Sequence, residues 1–140
     1  MFINFVSQFK YLGHIISDNG RDDLDIQREI RNMFVRTNIL KRKFMYCSIN
    51  VKKILFKTFC KCFYDIALWS SYNVGTLDKL RSCYNKCIKL FFGYSRCSSL
   101  TSALLETGLP CWDTVLCNYK VKLNLCIINH DNALVKCFSA

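Results

Sequence analysis

From Ile26 onward, apolar residues return every three or four positions and are interrupted by Lys or Arg within a turn or two. That period keeps one stripe of a helix dry while the rest stays wet, so most of the chain is committed to amphipathic helices that must pack on one another. Ile26, Ile30, Met33, Thr37, Leu40 and Phe44 predict a long helix over 24–44, with Asp22, Asp23 and Asp25 at its positive end and Lys41, Arg42 and Lys43 at its negative end. Val51, Ile54, Leu55, Thr58, Phe59, Cys62, Phe63 and Ile66 predict a second helix over 50–68. After Asn73-Val74-Gly75-Thr76, a third is expected over 77–92 with Leu77, Leu80, Tyr84, Cys87, Ile88 and Phe91 inward, stopped by Gly93. A shorter helix over 99–106 ends at Gly108-Leu109-Pro110, and a last one starts at Asp113 or Thr114 with Val115, Tyr119, Leu123, Cys126 and Ile127 on its apolar face. The fold class is therefore mainly α, a bundle of about five helices.

The first residues obey a different rule. Phe9 to Ser17 is rich in aromatic and β-branched residues and runs into Asp18-Asn19-Gly20, which predicts a strand ending in a turn. Phe2 to Val6 is the expected partner strand. The chain thus divides into a strand or hairpin remnant over 1–20 and a helical domain over 21–140, with no repeat or linker inside the latter.

A chain of 140 residues suffices for one buried core. No apolar run approaches the ~20 residues that span a bilayer, and Met1 to Gln8 lacks the charged start and cleavage site of a signal peptide, so a soluble intracellular protein, cytoplasmic or nuclear and without membrane contact, is expected. The net charge is +10, and it is concentrated: between Ile26 and Cys62 ten Lys and Arg stand against Glu29 alone. Such a field attracts polyanions, RNA or DNA above all, although a solubilising helix face has the same composition.

Chemistry is harder to find. Of the ten cysteines, Cys60, Cys62, Cys83, Cys87 and Cys126 fall inside periodic segments and read as small hydrophobes. Cys117, Cys126 and His130 lack the paired spacing of a zinc site, so no metal or cofactor is expected. Asp22-Asp23, the one adjacent acidic pair, reads as a helix start rather than a Mg²⁺ site, and His14 and His130 each stand alone. No catalytic centre is expected.

Phe9-Lys10-Tyr11-Leu12-Gly13, then Ile15-Ile16, Asp18-Asn19-Gly20 and Ile26-Gln27-Arg28-Glu29-Ile30, resembles a segment of the reverse transcriptases of non-LTR retrotransposons, especially jockey-like elements. Val51 to Phe63, the aromatic spacing of Tyr64 to Trp69, and Leu77 to Tyr94 with Phe91-Phe92-Gly93 extend the likeness to about Leu109. The resemblance implies a primer grip over Phe9 to Ser17, followed by a thumb that clamps template–primer by its backbone. In that carry-over Tyr11, Leu12 and Gly13 position the primer end, and Arg28, Arg36, Lys43, Lys52, Lys53 and Lys57 contact phosphates of RNA, DNA or an RNA–DNA duplex. The family's Tyr-x-Asp-Asp motif is not in this sequence, and Asp65-Ile66 replaces its usual glycine after the tyrosine. The resemblance therefore implies a truncated, non-catalytic reverse-transcriptase fragment, and the alternative is a helical module that meets a palm or another protein chain, or a non-functional pseudogene product.

Overall fold

The computed structural model describes residues 3–63 and 65–137. A two-stranded antiparallel hairpin, β1 (Gln8–Tyr11) and β2 (His14–Ser17), precedes the helices. These are α1 (Asp23–Phe44), α2 (Ile49–Leu55) running into a π-helical turn (Phe56–Cys60), α3 (Val74–Phe92), α4 (Leu100–Thr107), α5 (Trp112–Ile128) and α6 (Ala133–Lys136). The molecule is mainly helical behind a short hairpin, as its hydrophobic period implies.

The frame is a parallel pair, α1 beside α3. Their starts are tied together because Asp23 Oδ1 accepts a 2.9 Å hydrogen bond from the Asn73 N–H. Two to three turns further on, Cys83 Sγ lies 3.6 Å from Met33 Sδ. Parallel neighbours need a long crossover, and residues 45–73 supply it. The apolar stripe expected on α1 is the one that packs: Ile26, Met33, Thr37 and Leu40 are buried, and Ile30 and Phe44 flank them. On α3 the buried set is Leu80, Cys83, Tyr84, Cys87, Ile88 and Phe91. Asn73 caps the helix by accepting from the Gly75 N–H, and Gly93 ends it at φ 82°, in the left-handed region that glycine enters without strain.

The crossover departs from expectation. The helix predicted over 50–68 ends at Cys60, and its inward face is Phe56, Cys60, Phe63, Ile66 and Trp69. Ile54 and Phe59 instead face solvent. Ile54 lies on the outer face of α2 before the turn, and Phe59 lies inside a π turn in which the Lys61 N–H reaches back five residues to the Phe56 carbonyl at 3.1 Å. The extra residue rotates every later side chain away from the 3.6-residue register. Phe56, the first residue of that turn, sits among Tyr84, Phe91 and Phe92, with ring centroids 6.1, 6.2 and 5.9 Å away. Phe63 meets Trp112 edge-on at 5.5 Å, which brings the start of α5 into the same core. Beyond Val115 and Tyr119 the expected face of α5 loosens, and Cys126 is exposed rather than packed.

The hairpin departs too. The single strand expected from Phe9 to Ser17 reverses at Leu12-Gly13, pairing Phe9 with Ile16 and Tyr11 with His14. Residues 3–6 are exposed and lie outside any strand, and Phe2 lies outside the described residues.

The two candidate registers of the crossover make opposite predictions. Phe56 is fully buried and Phe59 is 50% exposed, so Phe56→Ala should lower stability by about 3–5 kcal/mol and Phe59→Ala by less than about 1 kcal/mol. Urea denaturation of the two variants measures both.

Candidate functional site

The hairpin is held to the helices by a buried ionic knot. Asp25, expected as one of the helix-start acids of α1, is buried there: its Oδ1 accepts from the Ile15 N–H at 2.9 Å and from Arg28 Nε at 2.7 Å. Its Oδ2 accepts from the Trp69 indole at 3.0 Å. Arg28 extends across to Asp65, with Nη2 2.7 Å from Oδ2, and His14 Nδ1 lies 2.7 Å from the same oxygen. Glu29 receives Arg28 Nη1 at 3.3 Å and is closely paired with Arg36. Helical spacing brings Asp25, Arg28 and Glu29 to one side of α1, the hairpin delivers His14 and Ile15, and the crossover delivers Asp65 and Trp69. His14, which looks isolated in sequence, is therefore the hairpin's ionic contact with the bundle.

Three carboxylates face two guanidinium groups in this knot, so a proton on Asp65 closes the balance between them. Burial works against ionisation of Asp25, but hydrogen bonds from Arg28, Asp65, the Ile15 amide and the Trp69 indole outweigh it and hold the carboxyl below the usual carboxylate range. Burial and the neighbouring Asp25 instead push Asp65 up to about 6, against the pull of His14 and Arg28. His14, Asp25 and Asp65 form the one grouping of metal-type ligand atoms among the described residues, with those atoms within 4.8 Å of one another. Arg28 already hydrogen-bonds both carboxylates and would repel an incoming cation. The grouping is built as an anchor.

Among the buried thiols, the shared hydrogen bond between Cys83 and Cys87 lowers Cys87 against the effect of its burial. Burial pushes Cys60 up to about 11, and Cys83 is raised by its hydrogen bond with Cys87 and then by burial. Cys60 and Cys83, held neutral and packed, act as small hydrophobes.

The residues expected to touch nucleic acid separate into three groups. Tyr11, Leu12 and Gly13 sit together at the exposed hairpin tip, where Leu12 and Gly13 take φ of 47° and 91°. Glycine accepts that conformation freely, whereas Leu12, 82% exposed, holds a left-handed backbone without burying its side chain. Arg28 and Arg36 are withdrawn from the phosphate-contact set, because one is locked in the knot with 16% of its side chain exposed and the other is paired with Glu29. Lys43 and Lys57 are exposed, and Lys52 and Lys53 are half-buried, with Lys52 Nζ 6.0 Å above the Phe91 ring. Asp25 and Asp65 escaped the sequence reading because nothing local marks an acid for burial. The only available signal was Asp65 itself, a charge inside an otherwise apolar and aromatic run.

No family model, curated protein or solved structure matches this chain. Its function has to be argued from its own residues.

The knot predicts a pH dependence with two signs. Asp65 keeps its proton to about 6 in the folded chain against an ordinary 3.8, so the folded state binds more protons in that window and stability falls as pH rises through it. Asp25, depressed on folding, contributes stability above its ordinary value and loses it as pH falls below that value. Thermal unfolding followed by circular dichroism should show a midpoint that drops between about pH 4.5 and 6.5, and Asp65→Asn should abolish the drop. At the tip, Leu12→Asn should raise stability by about 1 kcal/mol, since Asn-Gly suits a turn with positive φ at both positions; equilibrium denaturation reads the gain.

Proposed function

We propose that this chain holds nucleic acid by its phosphate backbone, as the grip and thumb portion of a reverse-transcriptase-type protein, and performs no chemistry itself. The observation that carries the proposal is a division of labour among its cations. Among the described side chains, every ion pair with a carboxylate uses His14, Arg21, Arg28, Arg36 or Arg81, and none uses a lysine. The buried acids Asp25, Glu29 and Asp65 are paired with Arg28 and Arg36, and among the described side chains no lysine charge is neutralised by a carboxylate. Lys61 reports that field, since burial and then Lys57 lower its pKa. Mobile ammonium groups on helix faces suit phosphates, which position a partner without reading its sequence.

The likeness to non-LTR reverse transcriptases agrees with this arrangement. A tight hairpin ahead of basic helices is what a primer grip followed by a thumb requires, and the exposed Tyr11-Leu12-Gly13 tip is the part that would meet a primer end. Tyr64, part of that likeness, lies outside the described residues. Asp25 and Asp65, the close carboxylates, hydrogen-bond Arg28 and are poorly placed to hold the Mg²⁺ ions of a polymerase. Among the described residues no helix is long and apolar enough to cross a membrane.

A second reading rests on the apolar side chains that the hairpin leaves uncovered. Phe5, Phe9, Leu12 and Ile16 are exposed, which favours a protein partner against this end of the molecule.

Affinity for an RNA–DNA duplex, measured by fluorescence anisotropy, should fall by about a hundredfold between about 50 and 200 mM salt if four phosphates are contacted. Replacing Lys43, Lys53 and Lys57 by Gln should flatten that dependence. Binding that ignores salt would rule the proposal out.

A further inference from the structure

The parallel packing of α1 and α3 leaves an open groove of about 620 Å³ between them, none of whose lining comes from the hairpin. Its lining combines two chemistries. Ile30, Phe34 and Cys83 contribute apolar surface, with Phe34 only half-buried although it packs against the core. Arg31 from α1 and Lys79 and Lys86 from α3 also line the groove, all three exposed. None of these cations forms an ion pair with a carboxylate among the described residues. The one acid in the lining, Asp78, already faces Arg81 at 3.6 Å.

We infer that this groove binds single-stranded nucleic acid, with Arg31, Lys79 and Lys86 on the phosphates and Phe34 offering a surface against which a base can lie. This rests on the nucleic-acid reading above and adds to it a strand type and a place. Charge complementarity selects a polyanion, and the aromatic surface selects among polyanions. A duplex keeps its bases stacked inside and would present only phosphates, leaving Phe34 and Ile30 uncovered, whereas an unpaired strand can turn a base onto an aromatic face while its backbone tracks the cations. A purely acidic peptide such as polyglutamate would satisfy the cations but carries no flat ring to lay on Phe34.

The spacing fits the same occupant. Lys79 and Lys86 are seven residues apart, two turns of α3, which separates their backbones by roughly 10 Å along the axis. Flexible lysine side chains starting from those points reach phosphates a few nucleotides apart on one strand, and Arg31 approaches from the opposite wall. Gln27 and Ser82, also exposed in the lining, supply neutral hydrogen-bonding groups between the charges.

The test uses the full chain and fluorescein-labelled oligo(dT) and oligo(U) of about 12 nucleotides, with the matching duplexes and polyglutamate as comparators. Expected results are tighter binding of the single strands than of the duplexes and weak competition by polyglutamate. Lys79→Gln with Lys86→Gln should reduce the salt slope for the single strand by about 1.4, two contacts' worth. Phe34→Leu, which keeps the apolar bulk, should weaken single-strand binding by roughly tenfold and leave duplex binding unchanged. A preference between oligo(U) and oligo(dT) would identify RNA or DNA as the source.

Single-strand binding that survives the groove variants but is lost on replacing Lys43, Lys53 and Lys57 would overturn the groove while sparing the nucleic-acid reading. Equal affinity for strand and duplex, or displacement by polyglutamate as effective as by oligo(dT), would also overturn it. Failure to bind any of the nucleic acids at low salt would overturn both. Circular dichroism of each variant keeps loss of fold separate from loss of binding.

Discussion

Arg28 joins segments that lie far apart in the chain. It grows from the first turns of α1, takes Asp25 on its own helix and Asp65 from the crossover, and lies beside His14 of the hairpin. Two short strands would not persist alone in water, because they bury too little surface to offset the cost of ordering them. Here the Ile15 N–H and the His14 ring are both attached to acids that Arg28 holds. Burying such a knot is not a cheap source of stability, since each ion loses its hydration. Its effect is to specify: an apolar contact would let the hairpin slide, and directed hydrogen bonds admit one seat. The tip formed by Tyr11, Leu12 and Gly13 is thereby presented on a fixed base.

The same knot shapes the outer field of the molecule. Because Asp25, Glu29 and Asp65 are turned inward and consumed by Arg28 and Arg36, little negative charge remains on the basic side of the bundle to offset the lysines. Pairing acids with arginine is physically apt. Guanidinium is planar, weakly hydrated and multidentate, so it tolerates burial, whereas an ammonium group is strongly hydrated and stays in water. The inward placing of Arg28 and Arg36 follows from that chemistry, while the exposed Arg31, Arg42 and Arg96 join the lysines in a basic exterior.

Packing in the core turns on Phe56. The π turn of the crossover begins at Phe56, which meets Tyr84, Phe91 and Phe92 at once in an aromatic cluster. Tyr84 and Phe63 carry the contact on to Trp112, so α3, the crossover and α5 share one core. Tyr84 donates to the Pro110 carbonyl at 2.8 Å, and Tyr119 donates to the Lys61 carbonyl at 2.6 Å, which satisfies their hydroxyls at the rim of that core. The groove between α1 and α3 is the outer side of the same helix pair: the stripes that face each other fill the interior, and the residues next to them line the groove.

The sequence by itself determined the mainly helical class, the ends of α1 and α4, the inward stripes of α1 and α3, the stops at Gly93 and Gly108, and the concentration of positive charge. All are local consequences of spacing, propensity and composition, legible one helix at a time. Tertiary structure alone decided where the crossover helix breaks, because the π turn gains only from aromatic partners on α3. It decided that Leu12-Gly13 is a reversal, because the docked hairpin holds Leu12 in a conformation its own preference resists. It also decided that Asp25, Glu29 and Asp65 are buried around Arg28 while the lysines are not. A charged side chain looks the same in sequence whether it meets water or an opposite charge from a residue far along the chain, and only the fold supplies the partner.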